Sequence, residues 1–192
     1  IAEFGRIDIL INNAGGGDSW SDRSLPEITD EDWRRGLDTN LTSAFFCSRE
    51  IIPHFLDQGG GRIINVGSIW GYRSPVGNFM YSVAKRAIMQ LTNSVATTYA
   101  GDNIRCTCIA PGNFPSTWGD AALNWAEAAG SEMREEEPSG RSGYPSEMGP
   151  LAVFLCSEAS DYMSGETVLI DGGMVAAGLL PAGVVPTAED SS

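Results

Sequence analysis

Four short apolar runs, followed in turn by Asn, Gly, Pro and Asp, constrain the fold of this chain more than any other feature of its sequence. The runs are Ile7–Asn12 (IDILIN), Arg62–Val66 (RIINV), Ile104–Ala110 (IRCTCIA) and Glu166–Ile170 (ETVLI). An apolar run of this length without regular polar alternation predicts a strand that is buried on both faces of a parallel sheet. The chain is therefore expected to build a layered core around such a sheet.

Helical segments separate these runs. Thr29 with Asp32 forms an N-cap pattern, and the stretch that follows is predicted to be helical to about Leu56, with room for a break. Further helices are predicted over Tyr81–Tyr99 and from Ser146 through Cys156. Strands that alternate with helices of this length indicate an α/β fold with right-handed crossovers.

Several polar or turn-forming residues come directly after the predicted strands. Asn13 follows the first strand, Ser68 the second and Pro111-Gly112 the third. Ligands of open α/β sheets bind outside the carboxyl ends of the strands. This placement predicts a binding site at that edge of the sheet.

Tyr81 and Lys85 lie four residues apart on a predicted helix, so their side chains share one face. An ammonium near a phenol favours the phenolate and is expected to lower the pKa of Tyr81. A tyrosine tuned in this way can exchange a proton with a carbonyl or alcohol oxygen. The same spacing also occurs on ordinary solvated helix faces.

Ser68 and Asn40 are further candidates. The hydroxyl of Ser68 could reach the same substrate oxygen as Tyr81, although a serine at a strand end also commonly caps a turn. Asn40 occupies a helical position where asparagine has poor propensity. It indicates a local helix distortion, a recruited polar network or simply an exposed side chain.

A set of motifs recurs here in a characteristic order and spacing: Asn12-Asn13-Ala14-Gly15, Asn40, Ser68, Tyr81-x-x-x-Lys85, Pro111-Gly112 and Asp171-Gly172-Gly173. With these motifs, the chain resembles classical short-chain dehydrogenases/reductases over residues 1 to about 174. A further pattern typical of that family is Arg141-x-Gly143-x-Pro145-x-Glu147.

The resemblance implies an NAD(P)-dependent oxidoreductase that interconverts a secondary alcohol and a ketone. It implies that Tyr81 is the general acid/base, that Lys85 lowers its pKa and binds the nicotinamide ribose, and that Ser68 polarises the substrate oxygen. It implies that Asn40 supports a water-linked proton relay through Lys85. No metal is expected.

The resemblance also implies which residues contact NAD or NADP. Asn13, Ala14 and Gly15 would line the adenosine side, and Pro111, Gly112 and the backbone of Phe114 would shape the nicotinamide pocket. Ser116 stands at the family's hydroxyl position with Thr117 beside it, and the pattern leaves open which of the two touches a phosphate. The choice between NAD and NADP is not readable from this sequence.

The implied fold is a Rossmann-like doubly wound parallel sheet that lacks the first three βα units, so that four strands of the usual seven remain. At about 30 residues per βαβ unit, on the order of 60 to 80 residues would precede Ile1 in a longer enzyme. We expect the first run to become an exposed apolar edge and the chain as given to bind dinucleotide poorly, since the Gly-rich phosphate loop and its helix N-terminus are absent.

The charge and composition of the chain exclude some classes of binding partner. With 12 basic and 25 acidic residues, the net charge of −13 argues against nucleic acid as a partner. No apolar stretch reaches the length of a membrane span, and no signal peptide is visible. The four cysteines fit no zinc spacing and are expected to be reduced thiols of a cytoplasmic protein.

Residues 113–146 are predicted to form a substrate lid within a domain of residues 1–174, and residues 175–192 a flexible tail. Aromatic residues near the predicted site favour a medium-sized, partly apolar alcohol or ketone as substrate, including 3-oxoacyl thioesters, although they could equally pack the lid against the body. These residues are Trp70, Phe114, Trp118 and Trp125.

The resemblance implies a homo-oligomer, a tetramer or dimer. A non-catalytic scaffold and an extended-type epimerase or dehydratase are the alternatives.

Overall fold

A four-stranded parallel sheet forms the centre of the molecule. The computed structural model describes residues 1–16, 24–114 and 137–177. Neighbouring strands pair in the order β1-β2-β3-β4, which is also their order along the chain. The strands are β1 (Ile9–Asn12), β2 (Gly61–Val66), β3 (Ile104–Pro111) and β4 (Thr167–Ile170). All three pairings are parallel, as the apolar runs predicted.

Four α-helices of at least eight residues lie in the described part of the chain. They are α1 (Asp30–Leu37), α2 (Ser43–Gln58), α3 (Phe79–Tyr99) and α4 (Pro145–Cys156). The predicted break in the first long helical stretch is a π-helical turn over Asp38–Thr42, and α2 ends where Gly59 adopts a left-handed conformation at φ 83°. Helix α3 begins two residues earlier than predicted because the side chain of Asn78 caps it.

Helices cover both faces of the sheet, as in a doubly wound fold. Ile63 and Ile64 of β2 point to opposite faces, and each belongs to a different core cluster. Ile63 packs with residues of α2 and α3, whereas Ile64 packs with Leu155 of α4. The interior strands β2 and β3 are therefore buried on both sides, which explains why their sequences are apolar at consecutive positions.

Strand β1 lies at the edge of the sheet in this structure. Its Ile9 and Ile11 side chains are 38% and 48% exposed. Burial on both faces is therefore wrong for the first run, and the expectation of an exposed apolar edge describes it correctly. The difference arises because periodicity indicates how apolar a strand is, whereas its place in the sheet decides what covers it.

Some predicted segments lie outside the described residues. Most of the predicted lid and nearly all of the predicted tail fall at positions 115–136 and 178–192. No helix within the described ranges has the length and apolar character needed to cross a membrane.

Phe55 is the largest fully buried side chain between α2 and the sheet. Its ring lies directly against Gly61, where any side chain would collide with it. We expect Phe55→Ala to lower the free energy of unfolding by about 3–5 kcal/mol because the truncation leaves a cavity that the helix cannot close. The adjacent Leu56 is 43% exposed, and Leu56→Ala should change stability by only about 0.5 kcal/mol. Urea unfolding of both variants measures this difference, and equal losses would contradict the packing described.

Candidate active site

The loops that follow the four strands lie at the same end of the sheet, where the carboxyl ends of the strands are. Because the strands are parallel, their carboxyl ends point the same way. The described parts of these loops are residues 13–16 after β1, 67–78 after β2, 112–114 after β3 and 171–177 after β4. The structure thus brings the predicted site residues of these loops to the same edge.

Ser68 and Tyr81 contact each other at the end of β2. The side chain of Ser68 lies close enough to the phenol of Tyr81 to lower its pKa. The Ser68 Oγ also accepts a hydrogen bond from the backbone N–H of Trp70 at 3.2 Å, so the turn expected for a strand-end serine is present as well. The ring of Trp70 meets the ring of Tyr81 edge-on, with centroids 5.9 Å apart.

Lys85 lies one helical turn beyond Tyr81 and is only 3% exposed. Its Nζ donates a hydrogen bond to the carbonyl of Val66 at 2.9 Å and lies 5.4 Å from the centroid of the Tyr81 ring. Burial lowers the pKa of this ammonium to about 8, while a nearby thiol, that of Cys108, acts in the opposite direction. Lys85 therefore remains mainly protonated at neutral pH.

The pKa of Tyr81 differs from the sequence-based expectation. Burial raises it above the ordinary value for a phenol, and the hydrogen bond to Ser68 lowers it only in part. The expected lowering by Lys85 does not appear, since the two causes that act on Tyr81 are burial and Ser68. The sequence indicated that the amine is close, but it could not give the cost of removing the phenol from water.

Asn40 lies in the π-helical turn and is fully buried. Its Oδ1 accepts a hydrogen bond from the N–H of Gly16 at 2.8 Å, and its Nδ2 donates to the carbonyl of Gly16 at 3.0 Å. The same Nδ2 also donates to the carbonyl of Gly36 at 3.1 Å. The helix distortion and the polar network are both present, whereas the exposed asparagine is not. This side chain holds the loop after β1.

Gly15 occupies the space directly above Asn40 and Lys85. A Cβ atom at this position would lie 2.7 Å from Asn40 Oδ1 and 3.2 Å from Lys85 Nζ. Only glycine therefore allows the loop to approach the two side chains so closely. Asn13 and Ala14, the other predicted residues of this loop, are exposed.

Pro111 ends β3, and the next residue, Gly112, is hydrogen-bonded to the end of β4. The N–H of Gly112 donates to the carbonyl of Ile170 at 2.9 Å, and a Cβ on Gly112 would lie 2.7 Å from Asp171 Cα. Beyond it, the ring of Phe114 packs against the backbone of Gly143. Ser116 and Thr117 lie outside the described residues, as do Trp118 and Trp125.

The Arg141-x-Gly143-x-Pro145-x-Glu147 pattern forms the start of α4. Arg141 pairs with both carboxylate oxygens of Glu147, each at 2.8 Å, and its guanidinium lies over the ring of Tyr144. The hydrogen bond from Arg141 lowers the pKa of Glu147 to about 2. This pair is exposed and organises the loop before the helix.

Sequence reasoning missed the polar residues that support the site from below. Asn12 and Asn65 are buried and hydrogen-bonded to each other, and the carbonyl of Val66 receives Lys85. The signal that could have revealed them is an asparagine inside each of two otherwise apolar strands. Within the described ranges, no three His, Cys, Asp or Glu side chains come together to hold a metal ion.

The arrangement suits proton transfer to an oxygen atom. A phenol and a hydroxyl are joined at one edge of the sheet, and a buried ammonium supplies positive charge within about one helical turn. Such a group of donors can stabilise negative charge as it develops on a carbonyl oxygen.

Comparison with known proteins gives consistent matches over this region. The family model described as Enoyl-(Acyl carrier protein) reductase matches residues 1–175. The 2-dehydro-3-deoxy-D-gluconate 5-dehydrogenase of Escherichia coli strain K12 is 39% identical over 92% of this chain and 68% of its own length. A 3-oxoacyl-acyl-carrier-protein reductase FabG of Chlamydia pneumoniae is 37% identical over 88% of this chain and 66% of its own length.

A solved structure resembles the chain to the same extent. The gluconate 5-dehydrogenase of Burkholderia cenocepacia J2315, crystallised with NADP and tartrate, superposes with a TM-score of 0.84 at 31% identity. The match covers 92% of this chain and 68% of that protein. The chain thus spans about two thirds of the length of these relatives.

The lowered pKa of Lys85 makes stability depend on pH. The ammonium titrates at about 8 in the folded protein against 10.5 for an ordinary lysine, so the unfolded chain binds more protons between these values. The free energy of unfolding attributable to Lys85 therefore rises from pH 8 to 10.5. We expect Lys85→Met to be more stable than wild type at neutral pH by up to about 3 kcal/mol and to lose this rise.

Two measurements check this expectation. Urea unfolding across the pH range should show that the gap between wild type and Lys85→Met closes towards high pH. The buried thiol of Cys106, with its pKa raised to about 12, contributes an opposite slope that both proteins share. Lys85 is the only lysine in the chain, so NMR of lysine-labelled protein should show a single side chain. Titration of that side chain at its ordinary value would contradict the burial described.

Proposed function

This chain belongs to the classical short-chain dehydrogenase/reductase family of NAD(P)-dependent oxidoreductases, and from that membership we propose that it interconverts a secondary alcohol and a ketone with Tyr81 as general acid/base. The observation that carries this proposal is the placement of the Tyr81 phenol beside the Ser68 side chain, with the buried ammonium of Lys85 5.4 Å from the Tyr81 ring. A scaffold has no need to bury a charged amine against a phenol.

In the proposed reduction, Tyr81 donates its phenolic proton to the carbonyl oxygen of the substrate. Burial raises the pKa of this phenol and keeps it protonated at neutral pH, which is the form that the step requires. The Ser68 hydroxyl donates a hydrogen bond to the same oxygen and thereby orients the carbonyl. In the oxidation direction, Tyr81 accepts the proton of the alcohol.

Lys85 has two proposed tasks. Its ammonium stabilises the negative charge that develops on Tyr81 when the proton leaves, and it donates hydrogen bonds to the ribose hydroxyls of the dinucleotide. The ammonium of Lys85 lies close to the backbone of Gly15, in the loop that follows β1. A buried ammonium with hydrogen-bond donors left after its bond to Val66 fits a ribose hydroxyl, which supports the assignment. Asn40 would support a proton relay through Lys85 by holding the loop that carries Gly15 and Gly16.

NAD or NADP supplies or accepts the hydride when bound. Asn13, Ala14 and Gly15 are proposed to line its adenosine side, and Pro111, Gly112 and Phe114 its nicotinamide side, with Ser116 or Thr117 near a phosphate. Gly112 directly follows β3 and lies close to Asp171 at the end of β4. Main-chain groups at the carboxyl end of β3 fit the proposed hydrogen bond to a carboxamide.

The substrate is proposed to be a medium-sized, partly apolar carbonyl compound, which includes 3-oxoacyl thioesters. Trp70 contacts Tyr81 edge-on and offers an apolar wall next to the proton donor. Two of the relatives are a 2-dehydro-3-deoxy-D-gluconate 5-dehydrogenase and a 3-oxoacyl-acyl-carrier-protein reductase, so family membership by itself leaves the substrate open. Residues 113–146 are proposed to cover the bound substrate and residues 175–192 to form a tail.

The protein is also proposed to form a homo-oligomer through α2 and α3. Phe45, Phe46 and Val83 on these helices are between 44% and 48% exposed. The guanidinium of Arg49 lies over both phenylalanine rings and leaves much of their surface in contact with solvent. A second copy of the chain would bury this apolar surface.

Turnover by Tyr81→Phe tests the proposed function. Purified full-length protein is supplied with NADH or NADPH and a panel of ketones, and consumption of the reduced nicotinamide is followed by its absorbance. We expect Tyr81→Phe to reduce kcat by about 100- to 10,000-fold, because the ring stays in place while the proton donor is lost. Tyr162→Phe, which alters a fully exposed tyrosine, is the matched control and should behave as wild type.

Two outcomes would count against the proposal in different ways. Unchanged turnover by Tyr81→Phe would remove Tyr81 from its role as general acid/base. A wild-type protein that turns over none of the ketones with either dinucleotide would favour a non-catalytic scaffold.

A further inference from the structure

A chain of buried polar groups crosses the molecule beneath the candidate active site. Asn12 of β1 and Asn65 of β2 are direct neighbours in the sheet, and their exposed fractions are 8% and 0%. Asn12 Nδ2 donates to Asn65 Oδ1 at 2.8 Å and to the hydroxyl of Ser48 in α2 at 3.1 Å. Polar groups buried in an apolar sheet carry a desolvation cost that must be offset by such partners.

The chain continues from the sheet into helix α3. Asn65 Nδ2 donates to Thr92 Oγ1 at 2.9 Å, and the Thr92 hydroxyl in turn donates to the carbonyl of Ile88 at 2.9 Å. Thr92 is fully buried. Its hydroxyl is thus an acceptor for the sheet and a donor to its own helix, which fixes both the direction and the position of the bond.

Three polar contacts join the end of β2 and its following loop to α3. Asn65 donates a hydrogen bond to Thr92, and Lys85 donates one to the carbonyl of Val66. The side chain of Ser68 lies beside the phenol of Tyr81. At about 100° per residue, helix positions 81, 85 and 92 lie within about 40° of one another around the helix axis. One stripe of α3 therefore faces one short stretch of chain, and the contact at Thr92 is the only one of the three that lies outside the catalytic group.

Apolar side chains supply much of the packing between α3 and the sheet. Ile88, Met89, Val95 and Ala96 contribute to it in two core clusters. Apolar burial is non-directional and tolerates small shifts of a helix along its axis. A hydrogen bond loses most of its strength when distance or angle changes by a small amount. The bond between Asn65 and Thr92 is thus suited to define where α3 stops along β2.

We propose that Asn65 and Thr92 are positioning residues that set the axial register of α3 so that Tyr81 meets Ser68 at the end of β2. The inference rests on the proposed function of Tyr81. Neither residue touches substrate or dinucleotide in this proposal. Asn12 and Ser48 extend the same constraint to β1 and α2.

The test compares threonines of α3. Thr92→Val keeps the shape of the side chain and removes the acceptor that α3 offers to Asn65, which leaves Asn65 Nδ2 only the Sγ of Cys106 in β3 at 3.5 Å. Thr98→Val alters an exposed threonine that bonds only its own helix. We expect Thr92→Val to lower kcat by about 10- to 100-fold, because small displacements of a reacting group cost rates of this order. The KM for the ketone should change far less. Thr92→Ser restores the hydroxyl and should recover most of the rate.

A pH profile separates positioning from general destabilisation. The hydrogen bond from Ser68 lowers the pKa of Tyr81, so a shift of α3 that weakens this bond should move the Tyr81-dependent limb of kcat to higher pH. Val95→Ala removes apolar packing from the same helix and serves as a destabilised control. Its profile should keep the position found in wild type.

The outcomes distinguish the two proposals. A wild type without turnover contradicts the proposed function. An active wild type with Thr92→Val indistinguishable from Thr98→Val, or with the same profile shift in Val95→Ala as in Thr92→Val, overturns the positioning role. Should Thr92→Val fail to fold, Thr92→Ala removes the same acceptor, and an unshifted profile in that variant overturns the role equally.

Discussion

The alignment of helix α3 along strand β2 is the interaction on which the rest of the site depends. Strand β2 ends where Val66 receives the ammonium of Lys85, and Ser68 follows it to meet Tyr81. Tyr81 and Lys85 lie one turn apart on α3, so a single placement of the helix satisfies both contacts. The loop after β1 then closes over Lys85 because Asn40 binds both backbone groups of Gly16.

The site is built at a cost to stability. Lys85 is an almost completely buried amine whose pKa is lowered because its charged form loses hydration. Burial raises the pKa of Tyr81 for the same reason, since it disfavours the phenolate. At neutral pH the cost therefore falls on the charged Lys85, because the neutral phenol is the form that water also favours. Strain of this kind is expected where function, rather than packing, decides the residue.

Much of the architecture could be predicted from the apolar pattern. The four runs became four parallel strands, and the segments between them supplied helices on both faces. Element ends were less accurate, because they depend on local caps such as the side chain of Asn78. Pattern alone did not distinguish the edge strand β1 from the covered strands β2 and β3, since burial is a property of the sheet and not of the run.

By itself, the sequence determined the family, the order of the strands along the chain and the set of polar residues at their carboxyl ends. Local rules are sufficient for these features, because helix and strand periodicity and turn residues act over a few neighbours. Only the tertiary structure decided that Asn65 forms a hydrogen bond with Thr92, that Asn40 forms hydrogen bonds with the backbone of Gly16, and that the pKa of Tyr81 is raised. Each of these depends on which distant groups share a buried volume, and desolvation acts through that volume rather than through spacing along the chain.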